Sequence, residues 1–331
     1  MLERGYTVET VDVSETHGAR PTPELSSDFL DPAFFSRFEE GNRQTARAMR
    51  HADIVVVNGE GTLHRGHNGP INLLYLMFAA KLFLNKEVHL INHSFYPSGG
   101  MAPCGLDELY GSVAATLDRV VPREAWSAAI LARLGVSAVQ GFDCLPRYIE
   151  RHGMLLCAQD RRREGVLVTG GVALPDAELA ALGAILNRLQ GDGHRISFTT
   201  GARNDPAPED VRQFEQLKRF VPGLVLAPAR SMRGWVESIA GSLALVSGRY
   251  HHSLAAASLG TPFRAIASNT PKIQATMELL EGPAVTSTMD AAASERIEAF
   301  LHEAVAGRAA PVDGEAIRKV VALANNNFAG L

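Results

Sequence analysis

Short apolar runs that end in glycine or in a polar cluster alternate along the chain with longer stretches whose apolar positions recur every three or four residues. The short runs read as buried strands and the longer stretches as helices lying on a sheet. The pattern predicts a strand over 7–13, a helix over 32–49, a strand in ADIVVVNGEG, a helix over 70–84 and a strand in EVHLINHSF. LDRVVPREAWSAAILARLGV and SAVQGFD then add a strand, a helix and a short strand. This rhythm specifies a parallel sheet covered by helices.

Over 148–165 the rhythm breaks, and the charged run QDRRREG predicts a solvated linker. It restarts with the strand GVLVTGG, a helix over 176–190, RISFTTGA, a helix near 209–220, GLVLAP and a helix near 231–240. LALVSGR, a helix near 251–259, FRAIAS and a helix near 272–280 complete it. The fold class is therefore α/β, with two doubly wound, Rossmann-like domains at 1–150 and 165–331. They are expected to face a cleft at the carboxyl ends of their strands, where open α/β sheets bind ligands. The opening MLERGYTVETVDVS reads as a helix end, a glycine stop and a strand, as if a first strand and helix of the domain preceded it.

A length of 331 residues suits two domains, and 46% hydrophobic with 21% charged residues describes an ordinary globular protein. The net charge of −4 provides no electrostatic footprint for nucleic acid or for an anionic membrane surface. An anionic ligand must then be held by a local cluster. Cys104, Cys144 and Cys157 are scattered and odd in number, which indicates neither a disulfide framework nor a thiolate metal site and suits a reducing cytoplasm. No apolar stretch reaches the roughly 18 residues of a membrane span, the run from Leu73 to Leu84 being interrupted by Lys81. No basic segment followed by an apolar one opens the chain as a signal peptide would.

Polar residues just after strands are the candidates for chemistry. In IVVVNGEGTLHRGHNGP, Gly59 and Gly61 allow a ligand to approach the backbone closely, but His64 stands where a dinucleotide fingerprint needs its third glycine. Glu60 between them either accepts hydrogen bonds from a sugar and acts as a base, or is an exposed turn acid. His64 and His67 have HxxH spacing without a third ligand, so they are read as loop residues and no metal site is expected. Asn92, His93 and Ser94 end a strand with groups that both donate and accept, which suits a hydroxyl-rich ligand or the local backbone.

VSGRYHHSLAAASLGTPF carries the strongest cluster. Its strand ends at Ser247, Gly248 turns the chain, and the following helix presents unpaired amides and partial positive charge. Arg249 at the helix entrance can grip a carboxylate or phosphate in a fork, and His251 can donate a proton or hold a phosphate oxygen. His252 is read as support, in the core or against a neighbouring loop.

LVSGRYHHSLAAASLGTPFRAI followed by PKIQATMELLEG resembles the polysaccharide pyruvyl transferase family, with its Ser-x-Arg-x-His motif, small-residue helix, Gly-x-Pro (Gly260, Pro262), strand and downstream lysine (Lys272). ADIVVVNGEGTLH, DRVVPREAWSAAILARLGV and GFDCLP resemble further segments of that family, so that the likeness spans nearly the whole chain. The resemblance implies a two-domain fold similar to GT-B glycosyltransferases and a transferase moving a pyruvyl group from phosphoenolpyruvate to a glycan or lipid-linked sugar as a ketal. No cofactor is implied beyond phosphoenolpyruvate as donor substrate. It also implies an N-terminal acceptor side and a C-terminal donor side, acting in the cytoplasm or at the inner face of the membrane. Arg249, His251 and Glu60 would be the catalytic groups. Lys272, Ser247 and His252 would serve the donor, and Gly59, Gly61, Asn92 and His93 the acceptor. Two alternatives stand beside this reading: a GT-B glycosyltransferase using a nucleotide sugar, although the helix HHSLAAASLG lacks an acid to hold a ribose, and a non-catalytic sugar- or anion-binding protein.

Overall fold

The computed structural model describes residues 5–160, 162–172, 174–202 and 205–331. They divide into one compact unit of Met1–Cys144 with Leu323–Leu331 and a second of Leu145–Ala322.

The first unit is built on parallel strands β1 (Ile54–Glu60), β2 (Glu87–His93) and β3 (Arg119–Pro122), in that order across the sheet. Its helices are α1 (Val13–His17), α2 (Pro32–Gly41), α3 (Arg43–His51), α4 (Asn68–Leu82), α5 (Asp107–Thr116) and α6 (Ala125–Arg133). α4 is apolar on nearly every face because it is the core helix: Phe29, Phe34 and Phe38 set their rings edge-on to its Tyr75, at 5.3, 5.1 and 4.9 Å.

Four local expectations are corrected. No strand forms over 7–13: the alternating residues 7–12 stay largely exposed, and Val13 begins α1. The helix end read in the opening lies at Met1–Arg4, outside the described residues. The helix over 32–49 is two helices, because the backbone of Arg20 packs against Gly41, where a Cβ would come within 2.2 Å of the Arg20 carbonyl oxygen. The Asn42 side chain then donates to the carbonyls of Arg20 (2.6 Å) and Phe38 (2.7 Å) and terminates α2. SAVQGFD forms no full ladder, but Val139 and Gly141 donate to the carbonyls of Val120 and Pro122 at 2.9 Å and so extend the sheet beyond β3. The 148–165 stretch is less solvated than its charge suggests. α7 (Cys144–Arg151) occupies its start, and the half-buried Arg163 donates to the carbonyls of Ala158 and Gly260, each at 2.7 Å. Arg161 of that run lies outside the described residues.

The second unit holds the parallel strands β4 (Val166–Gly171), β5 (Ile196–Thr199), β6 (Val225–Ala227), β7 (Ala244–Gly248) and β8 (Phe263–Ala265), in the order β6-β5-β4-β7-β8. Its helices are α8 (Asp176–Gly191), α9 (Pro208–Lys218), α10 (Met232–Ala240), α11 (Tyr250–Leu259), α12 (Lys272–Leu279) and α13 (Ala291–Val305). Val166, Val168, Ile196, Phe198 and Val246 form a core with Leu182 and Leu186 of α8 and Ile297 and Leu301 of α13. The chain winds outward from β4 to β6, then returns to the other side of β4 to make β7. That reversal is a topological switch point between β4 and β7, the place at which open α/β sheets characteristically bind ligands.

α14 (Gly314–Ala324) leads the chain back to the first unit, where Asn327 accepts from the buried Asn92 amide (2.7 Å) and donates to the Phe142 carbonyl (2.7 Å). Among the described residues, no helix is long and apolar enough to cross a membrane.

Beneath the end of β3, Arg123 is 1% exposed and is held by Asp143 (2.8 Å) and the Ser94 hydroxyl (3.0 Å). Removing one partner of such a pair strands a buried charge at a cost of about 3–5 kcal/mol. Asp143→Ala is expected to lose about that much stability in urea unfolding, and a loss under about 1 kcal/mol would show that the Arg123 charge is solvated.

Candidate functional site

At the switch point, β4 ends in Thr169, Gly170 and Gly171, and β7 ends in Ser247 and Gly248, with Gly171 paired to Gly248. A Cβ on Gly248 would lie 2.7 Å from the Gly171 Cα and 3.0 Å from the Gly170 carbonyl oxygen, so only glycine lets the two strand ends meet. Below them the Thr169 and Ser247 hydroxyls lie 2.8 Å apart, and the Ser247 oxygen accepts from the Arg249 amide (3.0 Å), which fixes the turn into α11. α11 starts with no side-chain hydrogen bond at its N-cap and no acid in its first turn, so no side-chain charge offsets the positive end of its dipole. Gly260, left-handed at φ 76°, ends it, with Thr261 and Gly260 donating back to Ala256 (2.9 Å) and Ala257 (3.2 Å).

Arg249 stands at the entrance to α11, as its sequence position implied, with a terminal nitrogen, Nη2, bonded to Asp210 of α9. Burial separates the two histidines that the sequence left side by side. His251 is half-buried with its ring against Tyr250 (5.1 Å), while His252 is only 5% exposed and meets Trp235 edge-on at 5.0 Å. The His252 Nε2 lies 3.2 Å from the Thr200 carbonyl, and burial, ahead of the charge of Arg249, pulls its pKa down to about 4. Facing a carbonyl, that nitrogen carries the proton, so His252 is a neutral Nε2–H imidazole. Ser247 has no exposed surface and acts through the Arg249 backbone. Lys272 opens α12.

The other candidates lie at the strand ends of the first unit. Gly59 lets β1 approach β2, since a Cβ there would stand 2.7 Å from the Cβ of His93. Glu60 and Asn92 both take left-handed backbone conformations (φ 40° and 49°), which non-glycine residues adopt mainly where function or packing compels it. The nearly buried Asn92 donates to the Asn58 side chain (2.9 Å), and Asn58 in turn donates to the Glu60 carboxylate (3.4 Å). Glu60 is thus the exposed end of a short polar relay, beside Gly61, whose carbonyl lies 2.9 Å from the His64 Nδ1.

His93 corrects its sequence reading. It has no exposed surface, and burial, then the charge of Arg123, pulls its pKa down to about 3, so it is a neutral packing residue rather than a surface contact for a sugar. The His64 and His67 rings meet edge to face at 5.1 Å, and no group of three metal-binding side chains occurs among the described residues. None of the three cysteines is in a disulfide, and burial pushes the thiol of Cys144 up to about 12, which keeps it protonated. Within DRVVPREAWSAAILARLGV, residues 123–127 form a clasp: Glu124 caps α6 by accepting from the Ser127 amide (2.9 Å), and the Ser127 hydroxyl accepts from the Phe95 amide (2.6 Å).

Sequence reading missed Thr169, Gly170, Gly171, Asp210 and Gln213. The available signal was VTGG, a strand running into glycines as in VVVNGEG, but which two of the strands meet depends on topology rather than on local pattern.

His252 makes stability depend on pH. Between about 6.5 and about 4 the unfolded chain binds a proton at this residue that the folded chain refuses, so its contribution is full above that window and is lost as pH falls through it. Urea unfolding at about pH 7 and about pH 5 should show a loss of stability on acidification that is smaller in His252→Gln, and an equal loss in both proteins would contradict the assignment.

A sequence model of the polysaccharide pyruvyl transferase family matches residues 3–270. No curated protein matches the sequence. Among solved structures, UDP-GlcNAc 2-epimerase from Neisseria meningitidis bound to UDP-GlcNAc is similar with 11% identity and a TM-score of 0.55, over 93% of this chain and 81% of that one. MnaA of S. aureus with UDP has 9% identity and a TM-score of 0.54, over 96% and 78%. Alr3699/HepE of Anabaena in complex with UDP and glucose has 10% identity and a TM-score of 0.51, over 88% and 79%. At such identities the likeness is one of fold, and it gives the chain a GT-B-like, Rossmann-type architecture. The matched span includes both strand-end clusters, β1 with Glu60 and β7 with Arg249 and His251, and the chain belongs to the polysaccharide pyruvyl transferase family, a family of transferases.

Proposed function

We propose that the protein transfers a pyruvyl group from phosphoenolpyruvate to a sugar of a cell-surface or exopolysaccharide glycan, forming a ketal. The observation that carries this reading is the anion crevice of the second unit, where Arg249 meets the uncapped start of α11 at the switch point. The donor carries a phosphate and a carboxylate, and both need such donors. Protonation of the enol methylene makes the adjacent carbon electrophilic, a sugar hydroxyl adds to it as the phosphate leaves, and a second hydroxyl closes the ring. The two hydroxyl protons lost balance the one gained by the methylene and the one carried off by phosphate.

In this reading Arg249 clamps the donor, Lys272 adds positive charge and His251 supplies the proton or holds phosphate. The neutral, buried state of His252 supports giving that role to His251. On the acceptor side Glu60 is the base, oriented through Asn58 by Asn92, with Gly59 and Gly61 admitting the sugar close to the backbone. The chemistry needs no cofactor. The acceptor is a glycan or a lipid-linked sugar, met in the cytoplasm. UDP in the solved relatives of this fold motivates the second reading, glycosyl transfer from a nucleotide sugar.

Incubation with phosphoenolpyruvate and a panel of glycan acceptors should release phosphate and yield a product heavier by one pyruvyl ketal. Arg249→Ala should lower that rate about 100-fold. His251→Ala should be more damaging than His252→Ala. Release of UDP from sugar donors, with no phosphate from phosphoenolpyruvate and any acceptor, would replace this reading with the second.

A further inference from the structure

Both walls of the anion crevice are held by one helix. Asp210 in the first turn of α9 pairs with Nη2 of Arg249, and Gln213, three residues on and so on the same face, brackets the end of β4. The Gln213 Oε1 accepts from the Gly171 amide (2.9 Å) and its Nε2 donates to the Gly171 carbonyl (2.8 Å). The fit is close enough that a Cβ on Gly170 would fall 1.5 Å from that Oε1. Gln213 cannot turn over, because its Nε2 also donates to Glu209 (2.7 Å), an acid held in turn by Arg212 (2.7 and 3.0 Å).

The packing of α9 does not require Asp210. Phe214 and Leu217 bury the helix in the core, and among the described residues the Asp210 carboxylate has Arg249 as its one side-chain partner. The contact engages a single guanidinium nitrogen, and no other described residue takes Nε or Nη1. The Arg249 side chain keeps 24% of its surface exposed, and the edge of the fork that a carboxylate or phosphate grips two-handed is left for a ligand.

We propose, on the reading that this crevice binds the donor, that Asp210 and Gln213 are its positioning residues. Asp210 orders the Arg249 fork before the ligand arrives, and Gln213 fixes the Gly170–Gly171 backbone that the ligand approaches. Neither touches the donor; each removes freedom that binding would otherwise have to freeze.

Calorimetric titration of phosphoenolpyruvate and of UDP into wild type, Asp210→Ala, Asp210→Asn and Gln213→Ala tests this. For whichever probe wild type binds, Asp210→Ala is expected to weaken affinity about tenfold or more, and Asp210→Asn, which keeps a carbonyl acceptor for Nη2, to recover most of it. Gln213→Ala should weaken the same probe by a similar factor. In turnover, Asp210→Ala should raise the donor KM with kcat largely kept, a split that a general loss of folding would not produce. Equal or tighter binding by Asp210→Ala would make the carboxylate a bystander or a competitor, and failure of Asp210→Asn to recover would remove the positioning role; either overturns the proposal. Unchanged binding in Gln213→Ala overturns its half. Wild type that binds UDP and not phosphoenolpyruvate would defeat the donor reading while the variants still judge α9 with UDP; wild type that binds neither defeats both.

Discussion

The second unit turns on a contact between two backbones. Gly171 and Gly248 meet where β4 and β7 end, at a distance that admits no side chain on the second of them. Because they meet, the two strands finish level, the hydroxyls of Thr169 and Ser247 bond to each other one step before, and α11 starts directly after the meeting point. The position of Arg249 follows, since its amide is tied to Ser247 and its side chain to α9.

The first unit solves a similar problem differently. Its strand ends carry side chains in left-handed conformations, at Glu60 and Asn92, each costing about 1–3 kcal/mol that the surroundings must offset. The offset is visible as hydrogen bonds: the Glu60 carbonyl accepts from Ser94 (2.7 Å), the Asn92 amide reaches Asn327, and beneath them Arg123 and Asp143 are paired out of solvent. One unit uses the absence of side chains to bring backbones together, while the other uses buried polar bonds to hold the backbone in a strained shape.

What could be read from the sequence follows from what is local in it. The strands from β1 to β8 announce themselves as apolar runs, and Arg249, His251 and the start of α11 lie within one turn of each other along the chain. Partners that meet through space were not legible: Asp210 and Gln213 lie 39 and 42 positions from the groups they hold, and Asn327 lies 235 from Asn92. Residue type also misled where burial decides. The sequence shows His93 and His252 only as imidazoles at strand and helix ends, and the packing around them is what makes both neutral. The 7–13 segment had the alternation of a strand without a neighbour to pair with, and Arg163 had the composition of a solvated linker while binding the carbonyl at the end of α11.

The bond from Asn327 to Asn92 has a consequence for the order in which the protein takes shape. The residues that complete the first unit are synthesised after the whole of the second, so a nascent chain carries the Asn92 amide without its partner while the 235 positions up to Asn327 are made. Closing so long a loop is entropically slow, and until it closes the end of β2 is open to water. The first unit is therefore begun before the second and finished after it, and the strained strand ends that carry Glu60 acquire their final form only once the second unit has been made.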